Sequence, residues 1–216
     1  MISILLATHN GHEFIEESIN SILNQTFNQF ELLIGLNGEN EITKNILKNY
    51  DDDRIRIFDY GNDKGKSKTL NKLLQVSRYD WLGIQDDDDI WLPQKLEKQI
   101  EFIEHFDVIG SLINYISETG KIIGKPNLSI NHDEIKSKSL SGDNNLANTS
   151  VIFKKECAFE VDGWETNLDG IEDFDFWLKL IRNNKKITNV NEVLVLHRLH
   201  SKSNFNTKKH DINSIL

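Results

Sequence analysis

The chain has 216 residues, enough for one domain with a substantial core. Its 25 Lys and Arg stand against 34 Asp and Glu, a formal net charge of -9, which argues against non-specific nucleic-acid binding because such binding draws most of its affinity from positive charge. A lone cysteine, Cys157, excludes an internal disulfide and reads as a small buried apolar residue in a reducing compartment.

Met1 to Thr8 lacks the basic leader and long apolar core of a secretion signal, and no stretch approaches the ~18 apolar residues of a membrane span. The expectation is a cytoplasmic protein, free or at the inner face of the cytoplasmic membrane. Ile2 to Ala7 is nearly all apolar, as in a strand covered on both faces, and Thr8-His9-Asn10-Gly11 ends it in a polar loop. Phe14, Ile15, Ile19 and Ile22 recur at helical spacing between Glu13 and Asn24. Phe30 to Leu36 is a second strand closed by the turn-forming Asn37-Gly38, and Glu41 to Tyr50 a weaker helix. Arg54 to Phe58 alternates strictly, giving a strand with one less buried face.

Gly65 to Val76 carries Leu70, Leu73 and Leu74 on a helical stripe, with Lys64, Lys66, Lys68 and Lys72 around its start. Positive charge there opposes the helix dipole and a phosphate would relieve it; the alternative is a basic surface helix. Trp81 to Ile84 is a short buried strand stopped by Asp86-Asp87-Asp88-Asp89. Four neighbouring carboxylates need solvent, lysines or a divalent cation to stay ionised, and hard oxygen ligands of this kind suit Mg²⁺ or Mn²⁺. A solvated turn that caps the next helix is the plainer reading. The run's place beyond a strand's carboxyl end, where open α/β sheets bind ligands, weighs against it.

Pro93 suits the first turn of a helix that runs to about His105, and Asp107 to Ile113 is the next strand. Five strands alternating with four helices imply an α/β layer structure with a mostly parallel sheet. Beyond Asn114 the rhythm changes. Tyr115 to Lys125 reads as a hairpin turning at Glu118-Thr119-Gly120, Ser129 to Gly142 holds one short helix, and Asn148 to Phe153 rejoins the sheet. Glu172 to Ile181 is a helix with Phe176, Trp177 and Leu180 inward, and Lys186 to Leu196 a final β segment. With no proline- or glycine-rich linker, the chain reads as one domain of two halves, 1–113 and 114–216.

Glu172 and Asp173 open the late helix, where carboxylates satisfy free amides and the dipole, or present a general base to a hydroxyl. After the last strand, His200 is a candidate metal ligand alongside Asp88, and Arg198 or Lys202 a candidate phosphate ligand.

Taken in order, Ser3 to Asn10, Ser21 to Phe27, Gly65 to Asn71, Gln85 to Pro93 and Glu172 to Leu178 resemble the inverting nucleotide-sugar glycosyltransferases of family 2, which have the GT-A fold. The resemblance covers roughly residues 2–203. It implies a Rossmann-like central sheet flanked by helices, with a smaller C-terminal acceptor-side region. It implies that Thr8, Asn10 and Asn37 border the nucleotide, that Asp86 and Asp87 approach ribose and sugar, and that Lys68 lies near the base or diphosphate. Asp88 would be the principal ligand of Mn²⁺ or Mg²⁺ with His200 beside it, and Arg198 would meet the diphosphate. Asp173 matches the catalytic base, with Glu172 and Trp164 at the acceptor site. Leu36-Asn37-Gly38 stands where the family commonly has two aspartates before glycine, which weakens but retains uridine recognition.

The function so implied is metal-dependent transfer of a sugar from a nucleoside-diphosphate sugar, UDP-sugar favoured, to a hydroxyl of a saccharide or lipid-linked saccharide in surface polysaccharide or lipopolysaccharide synthesis. A metal-dependent nucleotidyltransferase and a non-catalytic carbohydrate-binding module are the competing classes.

Overall fold

The computed structural model describes residues 1–168, 170–201 and 215. The apolar run at the start forms β1 (Ile2–Thr8), buried along its whole length between β2 (Phe30–Leu36) and β4 (Trp81–Gln85), both parallel to it. β3 (Ile55–Asp59) extends the sheet beyond β2 with no fully buried residue, and Ile57, which the alternation places on the covered face with Ile55, is 46% exposed.

Alternate side chains of each strand feed opposite layers. Leu5, Leu33, Leu82 and Ile84 pack under α3 (Lys66–Val76), α5 (His132–Leu140), α6 (Lys155–Glu160) and α7 (Glu172–Arg182). Ile4, Leu6, Leu32 and Ile34 pack under α1 (Ile15–Leu23), α2 (Glu41–Leu47) and α4 (Lys95–Ile100). Helices on both faces of one central sheet make this an α/β domain. Among the described residues no helix is long and apolar enough to cross a membrane.

The sheet runs in the order β3-β2-β1-β4-β8-β6-β9-β5, with β7 (Ile122–Gly124) paired to β6 (Val108–Ile116). It is mixed, which corrects the mostly parallel sheet expected from the sequence. β8 (Ile152–Lys154) wedges between β4 and β6 and is antiparallel to both, so β4 and β6 are not neighbours. β9 (Ile187–Arg198) is parallel to β6, while the two-residue β5 (Ile90–Trp91) is antiparallel to β9. The physical reason is local. Asn148–Ser150 folds into a single 3-10 turn, so only the last part of the expected strand joins the sheet, and it enters reversed. Pro93 likewise precedes its helix, since α4 starts at Lys95 after β5.

β1–β4 pairing sets Leu6 against Gln85, and β1–β2 pairing sets Thr8 against Leu36. The carboxyl ends of β1, β2 and β4 therefore share one edge. The chain proceeds from β1 outward to β3, then returns to the other side of β1 for β4, so the crevice between β1 and β4 is the topological switch point.

Candidate active site

Asp86 to Asp89 leave β4 into that crevice. Asp86 is held by Lys66, whose Nζ donates to Oδ1 at 2.5 Å, and by a longer approach of Asn148 Nδ2 at 3.5 Å. Burial alone would raise Asp86, but Lys66 overrides it and holds the carboxyl below its ordinary range. Asp87 accepts from the Thr8 hydroxyl, and burial together with the Asp86 charge pushes it up to about 6 despite that bond. Gly11 is required here because a Cβ would lie 1.9 Å from Asp87 Oδ2.

Asp88 faces His200, with Nε2 and Oδ2 2.8 Å apart. Burial and the charges of Asp89, Asp87 and Asp86 hold Asp88 well above the carboxylate range, the signature of a cluster short of positive charge. Asp89 is fully buried and structural: His197 Nδ1 lies 2.9 Å from Oδ2 and the Arg198 amide donates to Oδ1 at 2.8 Å. Burial disfavours the charged imidazole, yet the Asp89 charge and hydrogen bond outweigh it and push His197 up to about 9.

The second acidic group comes from the start of α7. Asp173 is half-buried, and its own Oδ1 accepts from the Phe174 amide at 2.8 Å. Burial and the adjacent Glu172 raise it, Lys66 and the Phe174 amide lower it, Asp86 raises it again, and it ends at about 6. Lys66 is thus the charge shared by both clusters. Burial works against its ammonium, but Asp86, Glu172 and Asp173 together keep its pKa above that of an ordinary lysine. The α3 helix that carries Lys66 is pinned toward α7 by Asn71. Its Oδ1 accepts from the Trp164 amide at 2.9 Å and its Nδ2 donates to the Trp164 carbonyl at 2.8 Å, while the Trp164 ring stacks on Phe176 at 4.4 Å.

The two acidic clusters therefore open on one crevice. Thr8, Asp86, Asp87, Asp88 and His200 lie together beyond β1 and β4, and Glu172 and Asp173 lie within reach of the Lys66 charge. Glu172 is buried and accepts from the Gly170 amide at 2.5 Å, which holds it in the turn before α7. Other expected site residues are engaged differently. Asn37 is 2% exposed, its Nδ2 donating to Thr69 Oγ1 at 2.9 Å and its Oδ1 3.1 Å from His9 Nδ1. Asn10 takes a left-handed backbone, φ 59°, and its amide donates to Asn40 Oδ1 at 2.6 Å. Lys68 points outward to Asp63 at 3.1 Å, and Lys66 occupies the site instead. Lys202 lies outside the described residues.

Arg198 is 2% exposed and serves the protein itself. It donates to the carbonyls of Asp88 at 2.9 Å and Glu118 at 2.9 Å, pairs with Glu17, and covers the Phe14 ring at 4.4 Å. Trp164, 2% exposed, lies within the aromatic cluster of Phe153, Phe176 and Trp177 beneath α7. Both were expected to touch substrate and are instead buried supports. Lys66, Asn71 and Asn148 carried no individual role in the sequence. Helix phase was the available signal, since positions 66 and 68 of one helix differ by about 200°.

A sequence profile described as Glycosyl transferase family 2 matches residues 3–158. The chain is 34% identical over 212 residues to the O-antigen biosynthesis glycosyltransferase WbnJ of Escherichia coli, covering 94% of this chain and 81% of that protein. It is 26% identical over 203 residues to the UDP-Glc:alpha-D-GlcNAc-diphosphoundecaprenol beta-1,3-glucosyltransferase WfaP of Escherichia coli, covering 94% and 79%. Among solved structures, S. aureus TarS 1-349 in complex with UDP-GlcNAc superposes with a TM-score of 0.79 at 18% identity, over 96% of this chain and 61% of TarS, and shares its fold. By profile, by relatives and by the GT-A-like arrangement of its sheet, this chain belongs to glycosyl transferase family 2.

Proposed function

We propose that the protein is an inverting glycosyltransferase that moves a sugar from a nucleoside-diphosphate sugar to a hydroxyl of a saccharide or lipid-linked saccharide in surface polysaccharide or lipopolysaccharide synthesis. One observation carries this reading: Lys66 couples the Asp86–Asp88 loop to Asp173, so a donor-binding cluster and a candidate base face the same crevice. The O-antigen role of WbnJ and the UDP-glucose and lipid-linked substrates in the name of WfaP support a UDP-sugar donor and such an acceptor. Residues 1–113 supply most of the donor side and 114–216 the acceptor side, with His200 reaching back from the second half to Asp88. The enzyme works in the cytoplasm or at the inner face of the cytoplasmic membrane, where a lipid-linked acceptor is presented.

Asp173 accepts the proton of the attacking hydroxyl. As the acceptor oxygen bonds to the anomeric carbon, the bond from that carbon to the diphosphate oxygen breaks, and the configuration inverts. A base near pKa 6 is ionised at neutral pH yet basic enough to take the proton. Thr8 and Gly11 fix Asp87, and Lys66 fixes Asp86, so both carboxylates are preset toward the donor.

Asp88 and His200 fit Mn²⁺ or Mg²⁺: a carboxylate oxygen and an imidazole nitrogen converge within 2.8 Å in a cluster short of positive charge. Among the described residues no group of three or more His, Cys, Asp or Glu is arranged as a metal cage. A two-ligand site suits an ion whose other ligands are diphosphate and water oxygens. When bound, the ion would neutralise charge on the departing diphosphate.

The test is incubation with UDP-sugars and an acceptor panel in Mn²⁺, with product mass and anomeric configuration read out. Asp173→Asn is expected to keep donor affinity and lose on the order of 10²–10⁴ in transfer. Unchanged transfer would remove Asp173 from its role. Release of pyrophosphate from a nucleoside triphosphate would instead identify a nucleotidyltransferase.

A further inference from the structure

Asn148 stands in the single 3-10 turn before β8, the strand paired to β4, and so lies alongside the acidic loop that leaves β4. Its side chain is more than nine-tenths buried, at 8% exposure. Nδ2 faces both oxygens of Asp86 at 3.5 Å. An ionised carboxylate only accepts, so the amide must present its NH₂ to Asp86 and its carbonyl elsewhere. That carbonyl oxygen, Oδ1, is buried and has no hydrogen-bond partner among the described residues. A buried acceptor left unmade is costly, and native proteins rarely keep one without a use.

The chemistry narrows what completes it. The missing group must donate a hydrogen bond and must tolerate the Asp86 carboxylate beside it. Phosphate oxygens bring acceptors and negative charge and meet neither condition. A sugar hydroxyl meets both, because it donates to Asn148 while its oxygen accepts from a neighbour such as Lys66, whose ammonium is bonded to Oδ1 of the same carboxylate.

We propose that Asn148 is a specificity-determining residue of the donor site, its Oδ1 accepting a hydrogen bond from a hydroxyl of the sugar being transferred. This rests on the nucleotide-sugar reading given above and adds which side chain reads the sugar rather than the nucleotide. Asn148 belongs to the second half of the chain and is carried beside Asp86 by the turn into β8, which pairs antiparallel with β4.

The experiment is calorimetric titration in Mn²⁺ with UDP and with UDP-glucose, UDP-galactose and UDP-N-acetylglucosamine, on the wild type, Asn148→Ala and Asn148→Ser. Binding is read without turnover. UDP alone is expected to bind all three proteins within about twofold, whereas the preferred UDP-sugar binds Asn148→Ala roughly tenfold more weakly, the worth of one hydrogen bond. The preference between the epimeric glucose and galactose donors should narrow in the same variant. Thermal stability should be unchanged or higher, because the substitution removes an orphaned acceptor. Asn148→Ser, smaller and still polar, serves if the alanine variant does not fold. Equal loss for UDP and UDP-sugar would make Asn148 a structural support and overturn the proposal, as would unchanged sugar preference. A wild type that binds UDP but none of the sugars better overturns it too. A wild type that binds neither UDP nor any UDP-sugar would instead overturn the donor reading of the whole site.

Discussion

Lys66 Nζ lies 2.5 Å from Asp86 Oδ1, and the same ammonium sets its charge toward Glu172 and Asp173 at the start of α7. One lysine at the first turn of α3 thereby joins the carboxylate proposed to face the donor to the carboxylate proposed to take the proton. A cation at that helix end is unfavourable by itself, and the two acidic clusters supply the compensation.

Removing that charge should move the base. Asp173 stands at about 6 with Lys66 opposing its protonation, and the proposed mechanism uses it in the ionised form. In the wild type, kcat/KM should therefore fall as pH drops through about 6. In Lys66→Met the proton is held more tightly, so the acidic limb should move to higher pH, while Lys66→Arg keeps it near the wild-type position. A pH–rate profile of kcat/KM from pH 5 to 9 measures this, and superimposed acidic limbs would count against the coupling.

Metal dependence should reside in two side chains. Asp88→Asn and His200→Ala are each expected to weaken Mn²⁺-supported UDP binding by on the order of ten- to a hundredfold. Binding in EDTA should be alike in all three proteins. Titration with and without the ion separates this from a general loss of fold.

Lys95 provides a test away from the crevice. It is fully buried, with Nζ 2.8 Å from Gln99 Oε1 and 3.7 Å from the Trp91 ring centre. Burial holds its pKa well below the ordinary lysine value. Between the lowered folded value and the unfolded value near ~10.4, the unfolded chain binds the extra proton, so this group makes the fold more stable as pH rises. Lys95→Met should lack that rise. At pH 7 the variant should be more stable by about 1 kcal/mol, the gain being limited by the Gln99 oxygen left without a donor, and the difference should reverse toward pH 10. Denaturant melts of both proteins across pH 7–10 decide it.

Cys157 is fully buried, and burial pushes its thiol up to about 11. Only the thiolate alkylates, so iodoacetamide at pH 8 should label the native protein on the order of a hundredfold more slowly than the unfolded chain. Mass spectrometry of timed quenches gives both rates.

Much of this arrangement was legible in the sequence because it depends on periodicity and charge. β1, β2, β4, α3 and α7 follow from apolar runs and stripes, and the acidic run and Asp173 stand out as clustered charge. Strand direction was not legible: Val151-Ile152-Phe153 is apolar whichever way it runs, and only pairing with β4 and β6 reveals that it runs backwards. Nor does a sequence say whether a polar side chain is already satisfied. Arg198 and Asn37 look like ligand-binding residues by type, yet the fold uses their hydrogen bonds internally. Lys66 and Lys68 differ only in which side of α3 they occupy, a distinction that depends on where the helix begins.

The grip of Arg198 on the Asp88 carbonyl spans 110 positions of chain. Asp89, sealed from solvent, takes its partners from that same distant stretch through His197 and the Arg198 amide. A protein truncated before β9 would retain every aspartate of the loop but lose the side chains and amide that hold Asp88 and Asp89 in place. The proposed sugar-nucleotide chemistry would therefore depend on the last strand as much as on the loop that carries the aspartates.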